Sequence, residues 1–251
     1  MPAVIGIIGG SAFSEIKNLD LCNRVEVQTP YGKPSSPFVE GSINGHDILF
    51  LHRHGLDHSI APHDINYRAN LWALRERGVT HVIATAAVGG ITEHMSPMTL
   101  MTPDQIIDYT YGREHTYNHP GRGSVDHVDF TWPYDGDLRN LFSKAAVNLG
   151  MPFISRGTYG AVQGPRLETS AEIRRMEQDG CDVVGMTGMP EAGLARELGL
   201  SYASIAVVVN WAAGKGNQAS ISHDEMNSNI KAGMINIHKL LAETLKMLLE
   251  S

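Results

Sequence analysis

The sequence predicts one α/β domain over residues 1–251, built as a mixed, mostly buried β-sheet flanked by helices on both faces. Short β-branched runs that end in glycine alternate with segments of helical spacing, the rhythm of strands covered by helices. No repeat, low-complexity tract or linker divides the 251 residues, and a chain of that length can bury a substantial core.

The first strand is read over 3–8, where β-branched residues lead into Gly9, Gly10 and Ser11. It has no basic flank and no small-residue cleavage site, so it reads as a buried strand rather than a signal peptide. Asn44 and Gly45, between 39–43 and 47–51, are the commonest two-residue hairpin signal. Residues 64–77 have helical spacing and stop at Gly78; 81–86 is an apolar strand that runs into Gly89 and Gly90. Further on, 137–149 reads as a helix stopped by Gly150, 153–159 as a strand and 170–178 as a helix. Strands at 182–185 and 201–209 follow, with a helix over 190–198 between them. Ser222 and Glu225 form a capping-box pattern before a final helix that runs to about Lys246. The one long irregular stretch, 110–133, is rich in His, Gly, Tyr and Pro, and loops of that length are usually functional or interfacial.

Composition removes whole classes of function. With 42% hydrophobic and 19% charged residues and a net charge of −7, the scattered Lys and Arg do not make a nucleic-acid groove, which needs clustered positive charge. No apolar stretch approaches the roughly 18 residues of a membrane span. Cys22 and Cys181 lie far apart without metal or redox spacing, which suits free thiols in a reducing compartment and makes the cytoplasm the default location.

Three strand ends carry candidate chemistry. In 6–13, GIIGGSAF, successive backbone amides and the Ser11 hydroxyl converge as an anion nest, although strand-then-glycine turns are also common as plain structure. The spacing is not GxGxxG, which argues against a nicotinamide enzyme. In 51–58, LHRHGLDH, Arg53 offers a planar charged fork for phosphate and His54 a further donor. A metal site on His52, His54 and His58 is the competing reading, disfavoured because no acidic ligand pattern accompanies them; His115 and His119 are discounted as ligands for their loop setting. In 85–90, TAAVGG, small residues permit close backbone approach. Ligands of α/β sheets gather where such strand ends meet. The GK of 212–216 lacks the remainder of a nucleotide-triphosphate loop.

GIIGGS, TPYGKPS (29–35), RHG (53–55), NYRANLWAL (66–74), QGPRLET (163–169) and GMTGMPEA (185–192) together resemble the methylthioadenosine phosphorylase family of purine nucleoside phosphorylases. The likeness runs nearly the full length in family order and is strongest to bacterial methylthioinosine phosphorylases. It implies a phosphorylase-like fold and a pentosyltransferase acting on a purine nucleoside and phosphate, with no metal and no cofactor, inorganic phosphate being a co-substrate. It also implies a homotrimer, with a dimer of trimers as the larger option. Carried over by position, the phosphate site comprises Ser11, Arg53, His54, the main chain around Ala86 and Ala87, and Thr187. Leu167, Glu168, Asn210 and Ala212 surround the base, Asn210 acting at the leaving purine. Met186 lines the ribose, His223 lies near its 5′ end, and His127 reaches a neighbouring subunit's site.

Two of these positions bear on the purine. Family members that act on adenine nucleosides resemble one another in carrying Asp, aromatic, Asp where this chain has Asn210, Trp211, Ala212. An asparagine presents one acceptor and one donor, which matches a protonated N7 beside a carbonyl O6. Glu168 stands where the 6-oxopurine enzymes carry Glu; a carboxylate accepts from N1–H of hypoxanthine and repels the N1 lone pair of adenine. Mispaired buried polar groups cost roughly 1–3 kcal/mol each, so the expected substrate is methylthioinosine, inosine or another 6-oxopurine nucleoside. The alternative is methylthioadenosine, releasing adenine in methionine and purine salvage. The bland readings are a helix-start acid for Glu168, a strand-end turn for Asn210 and an exposed helix-start histidine for His223. A nucleoside hydrolase and a non-catalytic nucleoside sensor are the competing classes.

Overall fold

A computed structural model describes residues 4–10, 19–43, 46–118, 124–216 and 220–249. Ten strands form one mixed sheet: β1 (Ile5–Gly9), β2 (Leu19–Val25), β3 (Phe38–Ile43), β4 (His46–His52), β5 (His81–Gly90), β6 (Leu100–Met101), β7 (Gln105–Asp108), β8 (Thr158–Ala161), β9 (Val183–Gly185) and β10 (Ser201–Trp211). Five helices accompany them: α1 (Tyr67–Glu76), α2 (Gly136–Asn148), α3 (Ser170–Gln178), α4 (Gly188–Glu197) and α5 (His223–Leu249). The strand order is β2-β3-β4-β1-β5-β9-β8-β7, with β10 pairing β5 and β6. The strands β4, β1, β5 and β10 run parallel, so their carboxyl ends emerge on one side.

Period-two alternation explains why these strands are buried on both faces. Ile5, Ile7, Ile48, Phe50, Ile83, Ala203, Ile205 and Val207 point to a core shared with α2 and α5. Ile8, Leu49, Leu51, Val82, Ala84 and Tyr202 point to a second core shared with α1 and α4. A side chain at Gly6 would come within 3.0 Å of Leu74, so glycine there lets α1 lie close on β1.

Several boundaries differ from those the sequence predicts. Strand β5 continues through Gly89 and Gly90, which pair with β10 and β9; glycine is needed at 90 because a Cβ there would collide with the Met95 carbonyl. The strand expected over 153–159 is displaced: Ile154 makes an isolated bridge to Met101, and the ladder begins only at Thr158. Helix α1 starts at Tyr67, capped by the Asn66 side chain, which accepts from the Ala69 amide. Strands β2, β6 and β7 were not among the expected elements. Asn44 and Gly45 lie outside the described residues, while β3 and β4 pair antiparallel from Ile43 and His46 outward.

Candidate active site

The ends of β1, β4 and β5 meet at Arg53. Its backbone amide donates to Gly9 O at 3.0 Å, tying the end of β4 to that of β1. Its side chain is buried, 3% exposed. Nε and Nη2 donate to the two carboxylate oxygens of Glu191 on α4, each at 2.8 Å, Nη1 donates to Thr85 O at 2.9 Å, and Nη2 also reaches Ile8 O at 3.5 Å. The Tyr202 hydroxyl completes the cluster by donating to Glu191 at 2.9 Å. Four of the five guanidinium N–H groups are thus engaged, and one on Nη1 is left. The whole fork expected for phosphate is therefore not on offer, because a buried cation needs a carboxylate and acceptors of its own.

His54, the next residue, is also changed from the expected extra donor. Burial, with the adjacent Arg53 charge adding to it, pushes its pKa down to about 4 against the pull of a bond to Ile60 O. Ile60 O is 2.9 Å from Nδ1, and a carbonyl only accepts, so the proton sits on Nδ1 and Nε2 carries a lone pair. The ring is neutral and presents an acceptor. The His58 ring packs tilted against it, 4.6 Å between centroids and 41° between planes, and no group of three or more His, Cys, Asp and Glu suited to a metal occurs among the described residues.

Ala87 marks where this junction opens. It is the exposed position of β5, with buried residues on either side, so a central strand meets open space at Ala87 rather than at an edge. Thr187 lies nearby at the start of α4. Its amide donates to the Tyr159 hydroxyl at 3.3 Å, and its own hydroxyl makes no capping bond. The half-buried Met186 precedes it. Ser11 lies outside the described residues.

A cavity of about 470 Å³ is lined by Leu167, Glu168, Trp211, Ala212, Ser220 and Ile221, among others. Glu168 is also on the wall of a second cavity of about 480 Å³. Burial, with Glu172 reinforcing it, pushes the Glu168 carboxyl above the ordinary range. Asn210 stands one residue before this cavity, where a bulge breaks the register of β10 against β5 between Val208 and Asn210; bulges of this kind re-aim a side chain. Its Nδ2 donates to Trp211 O at 2.7 Å, which fixes the amide plane and leaves Oδ1 and one N–H with bonding capacity. His223 is exposed at the start of α5, two residues beyond Ile221. His127 is exposed in the irregular segment.

The structure brings Arg53, His54 and the end of β5 at Ala86 and Ala87 to one junction and Leu167, Glu168 and Ala212 to one cavity, with Asn210 next to the cavity-lining Trp211; Met186 and Thr187 lie in the turn before α4, and His223 and His127 are exposed. Sequence reasoning missed Glu191, Tyr202 and Arg113, all buried. Glu191 had a faint signal, an acid in the otherwise apolar PEA stretch opening a helix.

Parallel strands end on a buried arginine, and a half-buried carboxylate lines a roomy pocket, features that suit an α/β enzyme binding its ligand at strand ends. The chain belongs to the phosphorylase superfamily, whose family model matches residues 4–246. A probable S-methyl-5′-thioinosine phosphorylase of Xanthomonas campestris is 49% identical over 95% of this chain and 96% of its own length. The 6-oxopurine nucleoside phosphorylase of Pyrococcus furiosus is 43% identical over 97% of this chain and 92% of its own. Among solved structures, methylthioadenosine phosphorylase from Schistosoma mansoni in complex with adenine superposes with a TM-score of 0.92 at 32% identity, covering 98% of this chain and 92% of that one.

Proposed function

We propose that this chain catalyses phosphorolysis of a 6-oxopurine nucleoside, methylthioinosine or inosine, to the free base and the corresponding ribose 1-phosphate. The observation that carries the reading is Glu168, a half-buried carboxylate on the wall of the 470 Å³ cavity that Ala212 also lines. It accepts from N1–H of a 6-oxopurine, whereas the N1 of adenine has no proton to give. The names of relatives 43–49% identical agree with this choice. Methylthioadenosine is the second reading, favoured by the name of the Schistosoma mansoni relative.

In this mechanism phosphate occupies the junction of β1, β4 and β5. Ser11, the amides around Ala86 and Ala87, the remaining N–H of Arg53 and Thr187 donate to it, and the Nε2 lone pair of His54 accepts a hydrogen bond from its hydroxyl. A phosphate oxygen bonds to C1′ as the C1′–N9 bond breaks, the N9 electron pair passes into the purine, and N7 takes up a proton from solvent water. Asn210 meets that charge: Oδ1 accepts from N7–H and the second Nδ2–H donates to O6. Groups aimed in advance at developing charge are usually the largest catalytic contribution. Met186 packs on the ribose and His223 faces the 5′ substituent. No metal or other cofactor enters the reaction.

The working unit in this reading is a cytoplasmic homotrimer in which His127 completes a neighbouring subunit's site. The exposed Tyr111, Val125 and Trp132 in the same irregular segment support an interface there. The buried free thiol of Cys181 suits a reducing compartment, and no helix among the described residues is long and apolar enough to cross a membrane. Initial rates with methylthioinosine, inosine, methylthioadenosine and adenosine, with and without phosphate, test the proposal. Phosphate-dependent cleavage of the 6-oxo pair is expected; a strong preference for methylthioadenosine, or cleavage indifferent to phosphate, contradicts it. Asn210→Asp is expected to raise the 6-amino to 6-oxo rate ratio by at least tenfold.

A further inference from the structure

Arg113 is buried, 7% exposed, in the middle of irregular chain, and every acceptor it meets is neutral. Nε donates to Gln163 Oε1 at 3.1 Å; Nη1 to Met186 O at 2.9 Å, Met189 O at 2.6 Å and the Tyr67 hydroxyl at 3.2 Å; Nη2 to Val162 O at 3.2 Å and Gln163 O at 2.9 Å. The guanidinium also lies over the Tyr67 ring, 5.6 Å from its centroid. Burying a cation is costly unless its hydrogens are bonded, and here the rigid five-donor fork is filled mainly by main-chain oxygens. Those oxygens belong to two segments, the exit of β8 at Val162 and Gln163 and the turn from β9 into α4 at Met186 and Met189.

These segments are the two jaws of the nucleoside site. The first continues through Gly164 and Pro165 to Leu167 and Glu168, and the second holds Met186 and Thr187. They already touch, since a Cβ on Gly164 would lie 2.5 Å from the Met186 sulfur. We infer that Arg113 is a positioning residue of the nucleoside site, holding the Glu168 loop and the Met186–Thr187 turn at a fixed separation so that base and sugar-phosphate groups align. The inference rests on the proposed function for the identity of the ligand. Misplacement of reacting groups by about 1 Å can cost about 10²-fold in rate, and lysine, with three donors on one nitrogen, cannot span both jaws.

The test compares Arg113→Lys and Arg113→Ala with the wild type, using whichever purine nucleoside the wild type cleaves fastest, so that an error in substrate assignment does not decide the outcome. The expected result is a fall of about 10²-fold in kcat, with phosphate KM changed less than threefold, and recovery of Arg113→Ala by added guanidinium of at least tenfold. Gln163→Leu, which removes the acceptor of Arg113 Nε and of the Tyr111 amide but keeps the Gln163 main-chain oxygen, covers the case of an Arg113 variant that does not fold; a several-fold fall in kcat at unchanged Tm supports the inference. Wild-type kcat in Arg113→Lys, absence of guanidinium recovery in folded Arg113→Ala, or wild-type kcat in Gln163→Leu overturns it. A wild type that cleaves only methylthioadenosine overturns the 6-oxopurine reading alone.

Discussion

The Arg53–Glu191 pair sets the character of the proposed phosphate site at the level of single side chains. Both partners are essentially buried, so removing one leaves a charge without compensation, and Glu191→Ala is expected to cost about 3–5 kcal/mol, measured by denaturant unfolding. His54 adds a pH signature. Its folded pKa of about 4 lies below an unfolded value of about 6.5, so below that value the unfolded chain binds a proton that the native ring refuses. Its contribution is complete above about pH 6.5 and is lost as pH falls toward 4; unfolding free energy measured across that range should show a slope that His54→Gln flattens. The sequence made Arg53 and His54 legible, because a basic pair directly after a strand end has an evident use. It could not disclose that most of the arginine fork is spent internally, since the partner is 138 residues away and burial of an acid leaves no local trace.

Elements deliver these side chains through their ends rather than their middles. Helix α3 opens on Thr169, whose hydroxyl accepts from the Glu172 amide while the Glu172 carboxylate accepts from the Thr169 amide. Glu172 also grips Arg166, at 2.7 and 2.9 Å, so the cap holds the loop that presents Glu168. Thr169→Ala should lower stability by about 1 kcal/mol, and the rate on 6-oxopurine nucleosides should fall severalfold more than the phosphate KM rises. Long helices were readable from periodicity and caps, as was Ser222, whose hydroxyl accepts from the Glu225 amide. Some short strands were not: β6 has two residues and β7 four, too few for alternation to register, although β9, three residues long, was readable over 182–185. Phe153 and Ile154 read as strand because they are apolar, yet they are only partly buried at the margins of separate clusters. The Asn210 bulge was equally hidden, because it is a property of pairing between β5 and β10 rather than of either strand.

For the whole molecule, the two faces of the sheet were implied by alternation, whereas the convergence of site residues from β4, β5, α3, α4 and β10 depends on strand order, which no local pattern encodes. The irregular segment follows a similar logic: its base is held by Arg113, by the Arg68–Glu114 ion pair at 2.8 Å and by Glu197 accepting from the Tyr117 amide at 2.6 Å, while Trp132 is 61% exposed. Trp132→Asp is expected to convert the proposed trimer to monomers in sedimentation velocity, with activity falling at least tenfold. Helix α5, 27 residues long and so about 40 Å from end to end, divides into unequal parts. From Met226 onward it is built into the core, whereas His223, Asp224 and Glu225 are exposed. The proposed 5′ contact on that first turn can change without disturbing the fold, while the proposed base contact at Asn210 is tied to a sheet bulge. Tolerance for different sugar tails can therefore diverge quickly among close relatives whose choice of purine stays fixed.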